Sequence, residues 1–126
     1  MDLTNKKFLV CDDSILARKQ IKDTINKMGE GATFIEAKNG QEAVDLYKTE
    51  KPDMAFLDIV MPIKEGTVAV KEICEFDKDA IVIMVSSVGT QALLKTAIEN
   101  GASDFVQKPL DMNQLTTIIE RKLGGK

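Results

Sequence analysis

Five short apolar runs recur along the chain, and longer segments of mixed character separate them. The runs cover residues 8–11, 33–37, 54–57, 81–85 and 104–106. Several of them are nearly continuous in Val, Ile, Leu and Phe, a pattern typical of parallel strands that are covered on both faces. The pattern therefore predicts five strands in one buried parallel sheet.

The segments between the runs carry apolar side chains at helical spacing. The first and last of these predicted helices bury the faces formed by Ala17, Ile21, Ile25 and Met28 and by Leu115, Ile118 and Ile119. Asp111 stands before the last helix with Gln114 three residues later, which predicts an N-cap. Five β–α units in succession predict a single α/β domain with an open, doubly wound sheet. In such sheets, ligands bind beyond the carboxyl ends of the strands.

Composition narrows the chemistry that this chain can perform. Its 126 residues include no histidine, which excludes a Ser-His-Asp triad, a Cys-His dyad, a histidine zinc site and a phosphohistidine of its own. The formal charge of −3 and the 5% aromatic content argue against nucleic-acid binding. Any reaction must therefore use carboxylates, hydroxyls, amines, thiols or a borrowed cofactor.

The cysteines and the hydropathy indicate the compartment. Cys11 and Cys74 fall inside apolar runs without Cys-x-x-Cys spacing, so we expect buried free thiols in a reducing environment. Residues 1–10 hold no signal-peptide core, and no later stretch could span a membrane. We expect a soluble cytoplasmic protein made of one domain over residues 1–126, with no membrane insertion.

Polar residues stand at the carboxyl ends of four predicted strands. Asp12 and Asp13 follow the first strand, Asp58 the third, Ser86 the fourth and Lys108 the fifth. Three carboxylates close together repel one another unless a cation compensates them, and Lys108 supplies only one charge. Oxygen ligands favour Mg²⁺ or Mn²⁺ over zinc, and Mg²⁺ commonly also binds a phosphate oxygen. The set therefore predicts a divalent metal site that handles a phosphate or a phosphorylated residue.

Each of these residues also has an ordinary structural interpretation. Asp12 or Asp13 could cap the following helix, Ser86 could bond a strand end, and Lys108 could be a surface lysine in a turn. Asp58 is harder to explain in this way, because it lies between apolar residues and a buried carboxylate needs a partner. Their regular placement along successive β–α units favours a functional site.

Taken together, these residues identify a family. The chain resembles the receiver domains of two-component response regulators, of the single-domain, CheY-like type, over about residues 6–123. The residues that carry the resemblance are the Asp12-Asp13 pair, segment 58–62 (Asp-Ile-Val-Met-Pro), Gly66, Ser86 and Lys108-Pro109. The resemblance implies a flavodoxin-like sheet with strand order 2-1-3-4-5 and one receiver domain without an output domain.

The resemblance also implies the roles of the site residues. Asp58 is the phosphoacceptor, and Lys108 helps to neutralise the phosphoryl charge. Mg²⁺, with Mn²⁺ as a substitute, is held by Asp12, Asp13, Asp58 and the backbone carbonyl of Val60. At most, such a chain catalyses its own phosphorylation and slow dephosphorylation, and it does not turn over a small substrate.

The switch is implied by the same resemblance. Ser86 moves toward the phosphoryl group, and Phe105 rotates in response. Many relatives have tyrosine at the position of Phe105. The output surface includes Gln91, Leu94 and Lys95. Val60 and Val88 stand where side chains influence the access of water to the phosphoryl group. Because both are apolar, the prediction is slow self-dephosphorylation.

The implied partners are a CheA-like sensor histidine kinase, a downstream target such as a flagellar motor switch protein, and a phosphatase, with the chain itself a monomer.

Two alternatives within the same fold stay open: a phosphorelay intermediate and an interaction module that is never phosphorylated. A small aspartyl-phosphate phosphatase usually has a second acid at the position of Val60. A flavin binder needs a Gly/Ser/Thr-rich phosphate loop where this chain has Asp12-Asp13. Both are therefore disfavoured.

Overall fold

Strands and helices alternate along the chain in the computed structural model, which describes residues 2–87 and 91–124. The strands are β1 (Lys7–Cys11), β2 (Thr33–Ala37), β3 (Met54–Asp58), β4 (Val82–Ser86) and β5 (Asp104–Gln107). The helices are α1 (Ile15–Met28), α2 (Gly40–Glu50), α3 (Gly66–Phe76), α4 (Gln91–Glu99) and α5 (Met112–Gly124). The five predicted strands are confirmed, and their ends differ from the prediction by at most one residue.

All strand pairs are parallel, and the order across the sheet is β2-β1-β3-β4-β5. The doubly wound, flavodoxin-like fold and the 2-1-3-4-5 order are thus confirmed. The order along the sheet reverses at β1, so the carboxyl ends of β1 and β3 flank the crevice where this architecture binds ligands. Cys11 pairs with Leu57 there, one residue before the acidic side chains on each strand.

The core lies in two layers, one on each face of the sheet, because neighbouring strand residues point to opposite faces. On one face, Leu9 and Leu57 pack against buried residues of α2 and α3, such as Tyr47 and Ile73. The other layer, against α1 and α5, includes Phe8, Val10, Ile21, Ile25, Leu115 and Ile119. The helical faces predicted for α1 and α5 are therefore in the core, on the face of the sheet opposite α2 and α3.

Two local expectations have different outcomes. The Asp111 carboxylate accepts hydrogen bonds from the backbone N–H groups of Asn113 (2.9 Å) and Gln114 (3.3 Å), as an N-cap does. Neither cysteine forms a disulfide, but only Cys11 is buried, whereas Cys74 is partly exposed. The expectation of two buried thiols was wrong for Cys74, whose Sγ lies 3.6 Å from the carbonyl of Gly101, beyond the end of α4, in a contact that solvent reaches.

No helix within residues 2–87 and 91–124 combines the length and the apolar character that a membrane span requires.

Candidate functional site

Three carboxylates converge where β1 and β3 end. One oxygen from each of Asp12, Asp13 and Asp58 lies within 4.8 Å of the others. Asp12 and Asp58 are buried, at 0% and 5% exposure, while Asp13 is exposed. Since β1 and β3 are neighbours in the sheet, the parallel register itself brings these residues together. Such a cluster is electrostatically costly without a compensating cation.

Lys108 supplies one positive charge to this cluster. Its Nζ lies 3.0 Å from Asp12 Oδ2 and 3.1 Å from Asp58 Oδ2, which makes it the counter-ion of both buried carboxylates. Its backbone N–H donates to the Ser86 carbonyl at 2.7 Å, so the end of β5 is anchored on β4. Burial by itself would lower the pKa of Lys108. The contact with Asp12 and the charge of Asp58 outweigh burial and raise this pKa, so the ammonium form is stabilised.

Asp58 is only partly compensated. Its Oδ2 accepts a hydrogen bond from Lys108, and its Oδ1 accepts one from the Val60 N–H at 3.3 Å. Burial, followed by the charge of Asp12, nevertheless raises the pKa of Asp58 above its usual range, because these effects outweigh the stabilisation by Lys108. The protein alone therefore provides too little positive charge for this carboxylate.

The donor set fits a hard divalent cation. Asp12 Oδ2 is buried, and its polar contact among the residues that the structure describes is the ion pair with Lys108. A buried carboxylate oxygen with one ion-pair partner, beside two further carboxylates, is a ligand arrangement suited to Mg²⁺. The exposed side of the cluster at Asp13 leaves room for the waters that Mg²⁺ retains. The role of the Val60 backbone carbonyl as a metal ligand stays a prediction.

The predicted switch residues lie on the neighbouring strands. Ser86 is buried, and its hydroxyl donates to the Val106 carbonyl at 3.3 Å rather than to Asp58. Phe105 is 39% exposed and lines a groove with Ser86, Gln91 and Leu94. It is therefore not an ordinary core residue of β5. Exposed Lys95 lies on α4, whereas Val88 falls outside the described residues.

The ordinary interpretations of the acid pair and of Lys108 do not hold. Ser14 is the N-cap of α1, since its Oγ accepts from the Ala17 N–H at 3.2 Å. Asp12 lies two residues before this cap, and its Oδ1 accepts a hydrogen bond from the Ser14 N–H at 2.9 Å. Lys108 binds two buried carboxylates instead of lying free in a turn.

Sequence reasoning missed a second group of charged residues beside the site. Arg18 on α1 is 8% exposed, and its Nη1 donates to the Asp12 carbonyl at 2.6 Å. Its Nε donates to Glu36 Oε1 at 2.9 Å. The available signal was an arginine three positions before Ile21 and seven before Ile25, on the apolar stripe of the helix.

Comparison with known proteins gives consistent results. The family model of the response regulator receiver domain matches residues 8–120. The chemotaxis protein CheY of Thermotoga maritima is 40% identical over 116 residues, which cover 92% of this chain and 96% of that protein. CheY of Bacillus subtilis is 38% identical over 118 residues, or 94% and 98% of the two chains. The CheX–CheY–BeF₃–Mg²⁺ complex of Borrelia burgdorferi contains a chain with TM-score 0.86 and 34% identity, with 95% and 90% coverage.

Proposed function

The chain belongs to the response regulator receiver domain family, and on this premise we propose that it is a signalling switch that accepts a phosphoryl group on Asp58. The observation that carries the proposal is the geometry of Asp58: a buried carboxylate that contacts the Lys108 ammonium beside the Asp12-Asp13 pair. A carboxylate held in this way is suited to nucleophilic attack on phosphorus once a metal cation is bound, because Lys108 offsets only part of its charge.

In the proposed reaction, an Asp58 oxygen forms a P–O bond while the P–N bond of a phosphohistidine breaks. The imidazole leaves with the electron pair and the product is an aspartyl phosphate. The chain has no histidine, so the phosphohistidine is on another protein. Lys108 remains beside the transferred group and neutralises part of its charge. Mg²⁺, held by Asp12, Asp13, Asp58 and the Val60 carbonyl, would stabilise negative charge on the phosphoryl oxygens, and Mn²⁺ would serve in its place.

The response to phosphorylation involves β4 and β5. A phosphoryl group on Asp58 would place strong hydrogen-bond acceptors near Ser86 and Lys108. Ser86 would then exchange its bond to the Val106 carbonyl for a phosphoryl oxygen. Phe105, which shares a groove with Ser86, would move toward the space that Ser86 leaves. The surface around Gln91, Leu94 and Lys95 would change with it and bind the target.

The chemotaxis relatives support a set of partners. A CheA-like histidine kinase would donate the phosphoryl group, and a flagellar motor switch protein would bind the phosphorylated form. The Borrelia burgdorferi CheY is described in complex with CheX, which supports a separate phosphatase as a third partner. These partners would place the reaction in the cytoplasm.

The test is phosphorylation by a small donor. The native chain, incubated with Mg²⁺ and acetyl phosphate, should gain the mass of one phosphoryl group in an intact-mass measurement. Asp58→Asn should gain none. Asp53→Asn is a matched control, because it makes the same change at the opposite end of β3, where Asp53 binds the Lys7 N–H. It should gain mass like the native chain.

Two results would contradict the proposal. An equal gain in Asp58→Asn would place the phosphoryl group elsewhere. No gain in the native chain with several donors and both metals would favour the interaction module that is never phosphorylated.

A further inference from the structure

Arg18 is a buried guanidinium without a role in the reaction proposed above. It reaches from α1 to the end of β1, where Nη1 donates to the Asp12 carbonyl at 2.6 Å. A charge-assisted hydrogen bond of this length in a buried setting is among the stronger polar contacts available to a protein. Its acceptor belongs to the peptide group that joins Asp12 to Asp13.

The Asp12–Asp13 peptide joins the two acidic residues at the end of β1. The Asp12 N–H donates to the Ala37 carbonyl at 3.2 Å, and Asp12 Oδ1 accepts from the Ser14 N–H. Asp13 is exposed, and none of the residues within the described ranges donates a hydrogen bond to its carboxylate or forms an ion pair with it. The position of the Asp13 carboxylate therefore depends on its backbone, which Arg18 holds on one side.

Arg18 is itself held in place by Glu36 on β2, a carboxylate that also binds Lys22 of α1. Its Nε donates to Glu36 Oε1 at 2.9 Å, while the ammonium of Lys22 donates to Glu36 Oε2 at 2.8 Å. The hydrogen bonds from Lys22 and then Arg18 lower the pKa of Glu36, so this carboxylate is ionised at neutral pH. The guanidinium is thus fixed between a backbone carbonyl and an anionic partner.

We propose that Arg18 is a positioning residue for the metal site: its hydrogen bond to the Asp12 carbonyl fixes the Asp12–Asp13 peptide so that both carboxylates face a divalent cation. The proposal rests on the metal-binding part of the proposed function. A purely electrostatic role predicts the opposite sign, since a positive charge near the site repels Mg²⁺ and its removal would tighten binding. The direction of the change therefore separates the two roles.

The experiment is calorimetric titration of Mg²⁺ into the native chain, Arg18→Met and Lys22→Met. Arg18→Met should bind Mg²⁺ about tenfold more weakly, the lower end of the usual loss when an outer-sphere partner is removed. Lys22→Met is the matched control: it removes the same unit charge and the other cation on Glu36, but no bond to Asp12. It should bind Mg²⁺ like the native chain.

Arg18→Lys covers the case in which Arg18→Met does not fold. It keeps the charge, but a single ammonium cannot serve the carbonyl and Glu36 in the same planar geometry, so we expect an intermediate loss of affinity. Native affinity in the folded Arg18 variants, tighter binding in Arg18→Met, or an equal loss in Lys22→Met would each overturn the proposal.

The titration and the phosphorylation test refute different proposals. A native chain that binds Mg²⁺ but gains no phosphoryl mass would refute phosphorylation, and the Arg18 comparison would still be decided by affinity. A native chain that binds no Mg²⁺ would refute the role of Arg18. With phosphorylation intact, the rate of Arg18→Met should approach the native rate at saturating Mg²⁺, because the defect lies in binding the ion.

Discussion

The carboxylate of Asp58 is kept between two opposing influences. Burial and the neighbouring Asp12 disfavour its charged form, while Lys108 and the Val60 N–H favour it. The net effect raises the pKa of Asp58, so one lysine is not sufficient for two buried acids and a third at their edge. A divalent cation in this cluster would supply the missing positive charge, so under the proposed function the reactivity of Asp58 depends on metal binding.

Val60 should control the lifetime of the phosphorylated protein. It is 52% exposed, two residues after Asp58, and its side chain cannot hydrogen-bond a water molecule. We expect Val60→Asn to lose the phosphoryl group several-fold faster than the native chain, because an amide can orient the attacking water. The measurement is the decay of phosphoprotein mass after the donor is removed. Ile98→Asn, at a similarly exposed apolar position on α4, should lose the phosphoryl group at the native rate. An unchanged or slower loss in Val60→Asn would contradict the prediction.

Lys51 adopts a backbone conformation that its side chain disfavours. It ends α2 at φ 48° and ψ 63° and is followed by Pro52, which further disfavours that conformation. Lys51→Gly should raise the free energy of unfolding by about 0.5–1 kcal/mol, after the greater chain entropy of glycine is subtracted. Urea denaturation measures this free energy of unfolding. Lys71→Gly, the same change inside α3, should lower stability by about 1 kcal/mol; a loss of stability in both variants would refute the backbone argument.

Among the elements, the loop that joins β3 to α3 connects Asp58 to α2 and α3. Its Lys64 is paired with Glu72 of α3, and the Lys64 carbonyl packs directly on Gly40 at the start of α2. The Gly66 N–H donates to the Ile59 carbonyl at 2.8 Å, which closes the loop against the end of β3. Both glycines allow a close approach of backbone that a side chain would prevent.

A Cβ atom at Gly66 would overlap the Asp58 carbonyl oxygen and crowd Ile59. Gly66→Ala should therefore push α3 away from β3 and lower stability by about 1–3 kcal/mol, the usual cost of overpacking. Phosphorylation by acetyl phosphate should slow as well, because the Val60 N–H that holds Asp58 lies in the displaced loop. Val68→Ala on the same helix is the control, at an exposed position. Native stability together with native phosphorylation in Gly66→Ala would show that the loop does not depend on this contact.

At the level of the whole molecule, the sheet brings together residues from distant parts of the chain. Asp12 and Lys108 belong to β–α units at opposite ends of the sequence, yet their charged atoms are 3.0 Å apart. This arrangement exists only in the folded state, so the metal site and the fold should stabilise each other.

Mg²⁺ should consequently protect the chain against unfolding. At a concentration one hundred times its dissociation constant, an ion that binds only the folded state adds about 2.7 kcal/mol. We expect Mg²⁺ to raise the melting temperature of the native chain and a chelator to reverse the effect. Asp13→Asn should fold, because Asp13 is exposed. Mg²⁺ should raise the melting temperature of this variant much less than that of the native chain. An equal gain in both chains would mean that the ion acts elsewhere.

Sequence alone determined most of the architecture and which polar residues lie at the carboxyl edge of the sheet. The apolar runs and helical stripes predicted all five β–α units because their burial is recorded in local periodicity. Asp12, Asp13, Asp58, Ser86 and Lys108 were found because parallel strands place their carboxyl ends on one edge. The strand order needed the family resemblance, since local patterns do not say which strands are neighbours.

The tertiary structure decided how these residues bind one another. That Lys108 pairs with both buried acids, that Ser86 bonds to the Val106 carbonyl, and that Arg18 holds the Asp12 carbonyl all depend on packing between separate elements. Hydrophobic patterning specifies which face of an element is buried. The partner of a polar atom on that face is set by distances and directions of a few ångströms, which exist only once the elements have packed.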